Sequence, residues 1–233
     1  MLRSFRGKRS EHPLELDVQE TFEAASRAAA EVLAAAARRG GHVALSGGST
    51  PRRAYEIAAE LEPDWSPAEL WWADERCVPP EDERSNFRLA REALLDRLAV
   101  RPRSVHRVLG ELDPQEAARR YDAELRGVTL DLVLLGIGAD GHTASLFPDD
   151  VALQEEERLA VAVERPDVAR VTLTPAVLRG AGHIVFLVVG EDKAEAVRRA
   201  FAEKPNPGTP ASLIRGERTT AILDGDAASA LSR

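Results

Sequence analysis

The chain carries a single cysteine, Cys77, in 233 residues, so no internal disulfide framework can form and a reducing compartment is the natural setting. No thiol-protease signature surrounds Cys77, and a free cysteine ordinarily behaves as a small buried side chain. Long apolar runs are missing as well. Nothing approaches the ~20 residues needed to span a bilayer, and no signal-peptide core opens the sequence, which leads us to expect a cytoplasmic protein. Excess positive charge is absent too: 31 Lys and Arg against 39 Asp and Glu leave a net charge of −8. That balance argues against nucleic acid or an anionic membrane as partner, because both call for a basic face. An anionic small ligand would need local cations to override the overall field. There is no internal repeat and no linker long enough to separate two domains, so a single α/β domain over residues 1–233 is expected.

What is present is an alternation of short apolar runs and helical patterns. Asp17 with Glu20 has capping-box spacing ahead of an Ala-rich helix that ends at Arg38 and Arg39 before Gly40 and Gly41. Strands are expected at His42 to Leu45, Glu69 to Ala73, Leu132 to Leu135, Leu159 to Val163, Arg170 to Leu173, Ile184 to Val189 and Thr219 to Leu223. Helices are expected at Arg52 to Leu61, in NFRLAREALLDRL, from Asp113-Pro114 to Gly127, at Pro175 to Leu178 and at Glu191 to Ala202. Strands alternating with helices imply a parallel or mostly parallel sheet covered on both faces. Trp71 and Trp72 read as core or pocket-wall residues. The stretch Met1 to Pro13 receives no reading.

Three segments place reactive side chains at the carboxyl ends of strands, where open α/β sheets bind ligands. In ALSGGSTPRRAYE, Ser46, Gly47, Gly48, Ser49 and Thr50 lie between a strand and a helix start. Free backbone N–H groups there suit a phosphate, although a plain N-cap turn would read the same. The loop lacks the Gly-Lys-Ser/Thr ending of a Walker A motif and the GxGxxG dinucleotide pattern, so no nucleotide is implied. After the second strand comes Asp74-Glu75-Arg76. Arg76 could bind a carboxylate or stabilise an oxyanion, and Asp74 could bind hydroxyls or move protons; a solvated charged turn is the alternative. In DLVLLGIGADGHTASLFP an apolar strand runs into an elbow carrying Asp140 and His142, a carboxylate and an imidazole two residues apart. No further His or Cys pattern completes a metal-ligand set around them. Arg170 and Lys193 are surface cations read alone, but beside a phosphate loop they become its second and third contacts. His12, His42, His106 and His183 read as structural or surface residues.

Taken in order, LSGGSTPRRAYE, WWADERCVPPEDERSNFRLAREALL, DLVLLGIGADGHTASLFP, RVTLTPAVL, VVGEDKAEAV and PASLI resemble the 6-phosphogluconolactonases, a family grouped with the glucosamine-6-phosphate isomerases. The resemblance runs from about Val43 to Leu223, with little of it between Val100 and Val128. It implies a Rossmann-like, mostly parallel sheet flanked by helices with a smaller lobe. It also implies a hydrolase of a phosphorylated sugar lactone in the pentose phosphate pathway, working as a monomer or small homo-oligomer without metal or organic cofactor. Carried over by position, Ser46 to Thr50 would hold the 6-phosphate with Arg170 and Lys193. His142 would be the general base, Asp140 its helper, Arg76 the neighbour of the lactone carbonyl, and Asp74 part of the sugar site. A glucosamine-6-phosphate deaminase is the related alternative. Its pattern has an acid after the histidine, as in GHIAFNEP, where this chain reads GHTASLFP with Phe147. A non-catalytic sugar-phosphate sensor is the other, although no basic helix-turn-helix precedes the domain.

Overall fold

The computed structural model describes residues 14–231; Met1 to Pro13, with His12 among them, lie outside the described residues. In chain order the first elements are β1 (Leu14–Gln19), α1 (Phe22–Arg39), β2 (Gly41–Leu45), α2 (Ser49–Leu61), β3 (Ala68–Trp72), β4 (Asp74–Arg76), α3 (Asn86–Ala93) and β5 (Ser104–Val105). They continue as α4 (Pro114–Leu125), β6 (Leu132–Leu135), β7 (Ala160–Val163), β8 (Arg170–Leu173), α5 (Pro175–Arg179), β9 (Ile184–Val188), α6 (Ala194–Phe201) and β10 (Thr219–Asp224). Seven strands form a parallel sheet in the order β1-β10-β9-β6-β2-β3-β5.

Because successive side chains of a strand face opposite ways, each central strand feeds two cores. Val43, Leu45, Leu70, Trp72, Leu134 and Leu187 pack under α1, α2 and α3. Ala44, Trp71, Val133, Leu135, Phe186 and Val188 pack on the opposite face with α4 and α6. The two adjacent tryptophans therefore anchor opposite layers, both almost fully buried. In α1 the buried stripe is mainly alanine, which lets neighbouring elements come close at little cost in side-chain entropy.

Three expectations are corrected. Asp17 and Glu20 form no capping box: Asp17 lies in β1, and α1 starts at Phe22 with the Thr21 hydroxyl accepting from the Ala24 amide at 3.1 Å. As an edge strand with half-exposed Leu16 and Val18, β1 lacks the apolar run that marks its buried neighbours. Second, β7 and β8 do not join the parallel sheet. The six residues between them are too few for a parallel crossover, and they pair antiparallel in a three-stranded sheet of order β4-β8-β7. This sheet is the smaller lobe, and Val161, Val163, Val171 and Leu173 join it to the same apolar core as α4. Asp74-Glu75-Arg76 is the edge strand β4 of that small sheet, which sets aside the alternative of a solvated turn. Third, Glu191 to Lys193 forms a 3₁₀ turn before α6 rather than its first α-helical turn.

Candidate active site

In the main sheet β2 leads outward through β3 to β5, whereas its neighbour β6 leads the other way through β9 to β10. The order in which the chain adds parallel strands thus reverses between β2 and β6, which opens a crevice at the carboxyl ends of those strands. A cavity of about 250 Å³ occupies it. Its wall includes Ser46 to Thr50 after β2, Asp74 and Arg76 of β4, Gly136 to Gly138 and His142 after β6, Arg170 of β8, and Lys193 after β9. Ten of the eleven residues expected from the sequence share this wall; the eleventh, Asp140, touches it through His142.

The Ser46–Thr50 turn runs into the start of α2. Gly48 is its N-cap, no side chain caps it, and no acidic residue stands in its first turn. The amides of Gly48, Ser49 and Thr50 consequently lack intrahelical acceptors, and the following Pro51 has no amide to lose. Ser46, in the cavity wall, is also bonded in place. Its hydroxyl donates to the Leu134 carbonyl at 2.7 Å and its amide to the Tyr55 hydroxyl at 3.0 Å, while Tyr55 donates back to the Ser46 carbonyl at 2.6 Å. Ser46 is 5% exposed, and these bonds shape the turn. Tyr55, on the buried face of α2, clamps the turn from below.

The three cations come from separate elements. Arg76 and Arg170 stand directly opposite each other across the β4–β8 pair, an arrangement of like charges that costs stability on its own. Each is held at one end, Arg76 by donating to the Arg84 carbonyl at 2.7 Å and Arg170 by an ion pair with Asp167 at 2.9 Å. The buried Nε of each has no hydrogen-bond acceptor among the described residues. Lys193 contacts exposed Asp192 at 3.2 Å. Asp74 is the one carboxylate in the cavity wall, while Asp167 and Asp192 each pair with one of these cations.

At the β6 elbow the Asp140 carboxylate accepts from the His142 amide at 3.0 Å and meets its Nδ1 at 2.6 Å. A carboxylate only accepts, so the neutral ring carries its proton on Nδ1 and offers Nε2 as the base. Partial burial acts to raise the Asp140 carboxyl, but the His142 amide, the imidazole and the Asp140 backbone together hold it below the usual carboxylate range. Gly138 has no room for a side chain, because a Cβ would run into the imidazole and the Asp140 carboxylate. The Phe147 ring packs 4.7 Å from the imidazole, with the Arg165 guanidinium 3.9 Å beyond it. An acid in place of Phe147 is what the deaminase pattern requires, and here the site is aromatic.

Sequence reasoning missed Asn86 and Ser145. Asn86 lines the cavity and donates to the Asp74 carboxylate at 3.2 Å, and Ser145 donates to its other oxygen at 2.6 Å. A polar pair ahead of a helix hinted only at a cap in the first case, and nothing local marks the second. Glu75 points away from the cavity: burial pushes its carboxyl up, and the amides of Asn86, Phe87 and Arg76 with the Ser85 hydroxyl pull it back without cancelling the rise. Cys77 stays a thiol, pushed up to about 11 by burial and then by Glu75, Glu164 and Asp113. The other described histidines are structural. His42 accepts from Trp71 at 3.0 Å, His106 stacks on Trp71 at 3.9 Å, and His183 meets Thr220 at 3.0 Å. Among the described residues no cluster of three or more His, Cys, Asp or Glu could hold a metal, and no helix is long and apolar enough to cross a membrane.

A family model described as glucosamine-6-phosphate isomerases/6-phosphogluconolactonase matches residues 17–223. The chain belongs to that family. Among its members, a 6-phosphogluconolactonase of Treponema pallidum is 39% identical over 183 residues, covering 72% of this chain and 75% of its own. One from Streptomyces coelicolor is 36% identical over 229 residues, covering 90% and 85%. The crystal structure of 6-phosphogluconolactonase from Thermotoga maritima superposes with a TM-score of 0.81 at 29% identity, covering 91% of this chain and all of that one. The family's mostly parallel sheet with its small antiparallel companion is thus the fold seen here.

Proposed function

We propose that this protein hydrolyses 6-phospho-D-glucono-1,5-lactone to 6-phospho-D-gluconate. The observation that carries the reading is a single cavity lined both by a helix N-terminus free for a phosphoryl group and by an imidazole fixed by a carboxylate. The named relatives supply the substrate. Glucosamine-6-phosphate deamination is the less favoured reading, since these relatives are lactonases and Phe147 cannot exchange protons.

The phosphoryl group sits on the Gly48, Ser49 and Thr50 amides, with Arg170 and Lys193 completing its neutralisation. Binding energy from this remote group holds the ring while the chemistry proceeds several bonds away. Water then loses a proton to His142 Nε2 as its oxygen bonds to the lactone carbonyl carbon, and the carbonyl oxygen becomes an oxyanion. Arg76 stabilises that charge. Collapse re-forms the carbonyl and breaks the bond to the ring oxygen, which takes the proton from His142; the new carboxylic acid ionises into solvent. Asp140 keeps the imidazole in the required tautomer and stabilises its cationic form, and Asp74 receives sugar hydroxyls. The work of binding takes place in the cytoplasm, as a monomer or small homo-oligomer.

An NMR time course of 6-phosphogluconolactone in metal-free buffer, with the spontaneous reaction subtracted, tests this. The protein should accelerate loss of the lactone, and His142→Ala should remove about 10²–10⁴ of the rate with substrate affinity largely kept. No acceleration by the wild-type protein, or an unchanged rate for the variant, rejects the scheme.

A further inference from the structure

Asn86 is a buried polar group at the cavity that the reaction scheme leaves without work. It opens α3 and is 1% exposed. Its amide nitrogen donates to the Asp74 carbonyl at 2.8 Å and to the Asp74 carboxylate at 3.2 Å. Two acceptors on that side fix the amide's orientation, because a reversed group would set its oxygen against both. The oxygen faces Gly47 instead, where it has no hydrogen-bond donor among the described residues. A Cβ at Gly47 would overlap the Asn86 amide. Ser145 holds the far oxygen of the same carboxylate, so Asp74 is gripped from both sides.

A buried amide oxygen with no partner is a cost, and such costs concentrate where function requires them. Here the unsatisfied group is wedged between two parts of one cavity. One flank of Asn86 presses on the backbone of the anion cradle, and the other hydrogen-bonds the carboxylate that faces the sugar. The amide thus stands between Gly47 and Asp74, with no space for a side chain on the first and bonded to the second. We propose that Asn86 is a positioning residue that couples the anion cradle to Asp74, so that a phosphoryl group seated on the Gly47–Thr50 turn fixes the carboxylate that meets the ring. The proposal rests on reading the cavity as a sugar-phosphate site and deepens it: Asn86 transmits binding energy from one end to the other.

The test is a double-mutant cycle of Gly47→Ala and Asn86→Ala, with inorganic phosphate affinity from calorimetry and kcat and KM from lactone hydrolysis. In the wild-type background Gly47→Ala should weaken phosphate binding at least about 10-fold, and in the Asn86→Ala background by less than about 3-fold, since the space for a Cβ is then empty. Asn86→Ala should lower kcat about 10–100-fold while phosphate affinity stays within about 3-fold, because the carboxylate rather than the cradle has lost its strut. Asn86→Asp keeps the shape but sets a carboxylate oxygen against Asp74 in place of the donating amide, so it should lose kcat as Asn86→Ala does while leaving the Gly47→Ala loss of phosphate affinity near its wild-type size; Asn86→Ser, also truncated, replaces the alanine variant in the cycle if that protein does not fold. Multiplicative losses in the cycle, or wild-type kcat in a folded Asn86 variant, overturn the proposal. The phosphate cycle needs no lactone, so a coupled cycle in a protein that hydrolyses none rejects the lactonase reading and keeps the strut.

Discussion

Arg76 and Lys193 carry the same charge into the same cavity from different elements, one on β4 and the other after β9. In the proposed scheme their charges act at different times. Lys193 meets a phosphoryl group that is anionic before, during and after the reaction, and binding of that kind lowers KM without raising kcat. Arg76 meets a carbonyl oxygen that becomes charged only in the transition state. Lys193→Met should therefore raise KM with kcat little changed, whereas Arg76→Met should cost about 10²–10³ in kcat with KM little changed. Steady-state hydrolysis rates after background subtraction distinguish the two, and equal effects on both constants would refute the division of labour. Arg76 was legible in the sequence because its charged run follows an apolar strand, and Lys193 because it stands after Gly190 near a helix start and beside a phosphate loop becomes a contact for it. Asn86 and Ser145 were not legible, since their roles come from reaching Asp74 over 12 and 71 residues of chain. Spacing along the chain carries no record of such contacts.

Among the elements, α3 owes its position to a carboxylate that is not its own cap. Ser85 provides the ordinary N-cap, accepting from the Arg88 amide at 3.1 Å. Beneath it the Glu75 carboxylate takes the Asn86 and Phe87 amides at 2.7 Å each, the Ser85 hydroxyl at 3.0 Å and its neighbour Arg76's amide at 2.7 Å. These bonds tie β4 to the start of α3, and the two together carry Asp74, Arg76 and Asn86. Glu75→Ala would leave these donors buried without a partner. The expected loss is about 3 kcal/mol in urea unfolding, with residual activity reduced because Arg76 and Asn86 lose their shared anchor. A loss below about 1 kcal/mol contradicts this account. The sequence showed Asp74-Glu75-Arg76 as a dense charge run and gave no sign that its middle member turns inward. The long helices and the fully buried β6 and β9 were visible from apolar periodicity alone. Edge strands were not: β1 and β5 have half their side chains in solvent or are two residues long, and β4 is polar throughout.

Across the whole molecule, the parallel sheet separates chemistry from acid sensitivity. All the proposed reactive groups lie at its carboxyl edge. His183 stands at the opposite edge, just ahead of β9, with its Nε2 3.0 Å from the hydroxyl of Thr220 in β10. Burial pushes it down to about 4, with Arg218 and Arg39 adding to the effect, so the folded protein keeps this ring neutral through the mildly acidic range. An unfolded histidine titrates near ~6.5. Its folded value is the lower one, so the stability gained by keeping it neutral is complete above pH ~6.5 and is lost as the pH falls from there towards 4. The full swing is up to about 3 kcal/mol. His183→Asn should accordingly be less stable than wild type at pH 7.5, with the gap closing or reversing by pH 4.5 in urea unfolding measured at both values. Its kcat/KM against pH should keep the wild-type shape, because the sheet's length separates this ring from His142. A stability difference that does not change with pH removes His183 as the titrating group, and a displaced rate profile shows that the two edges of the sheet are coupled.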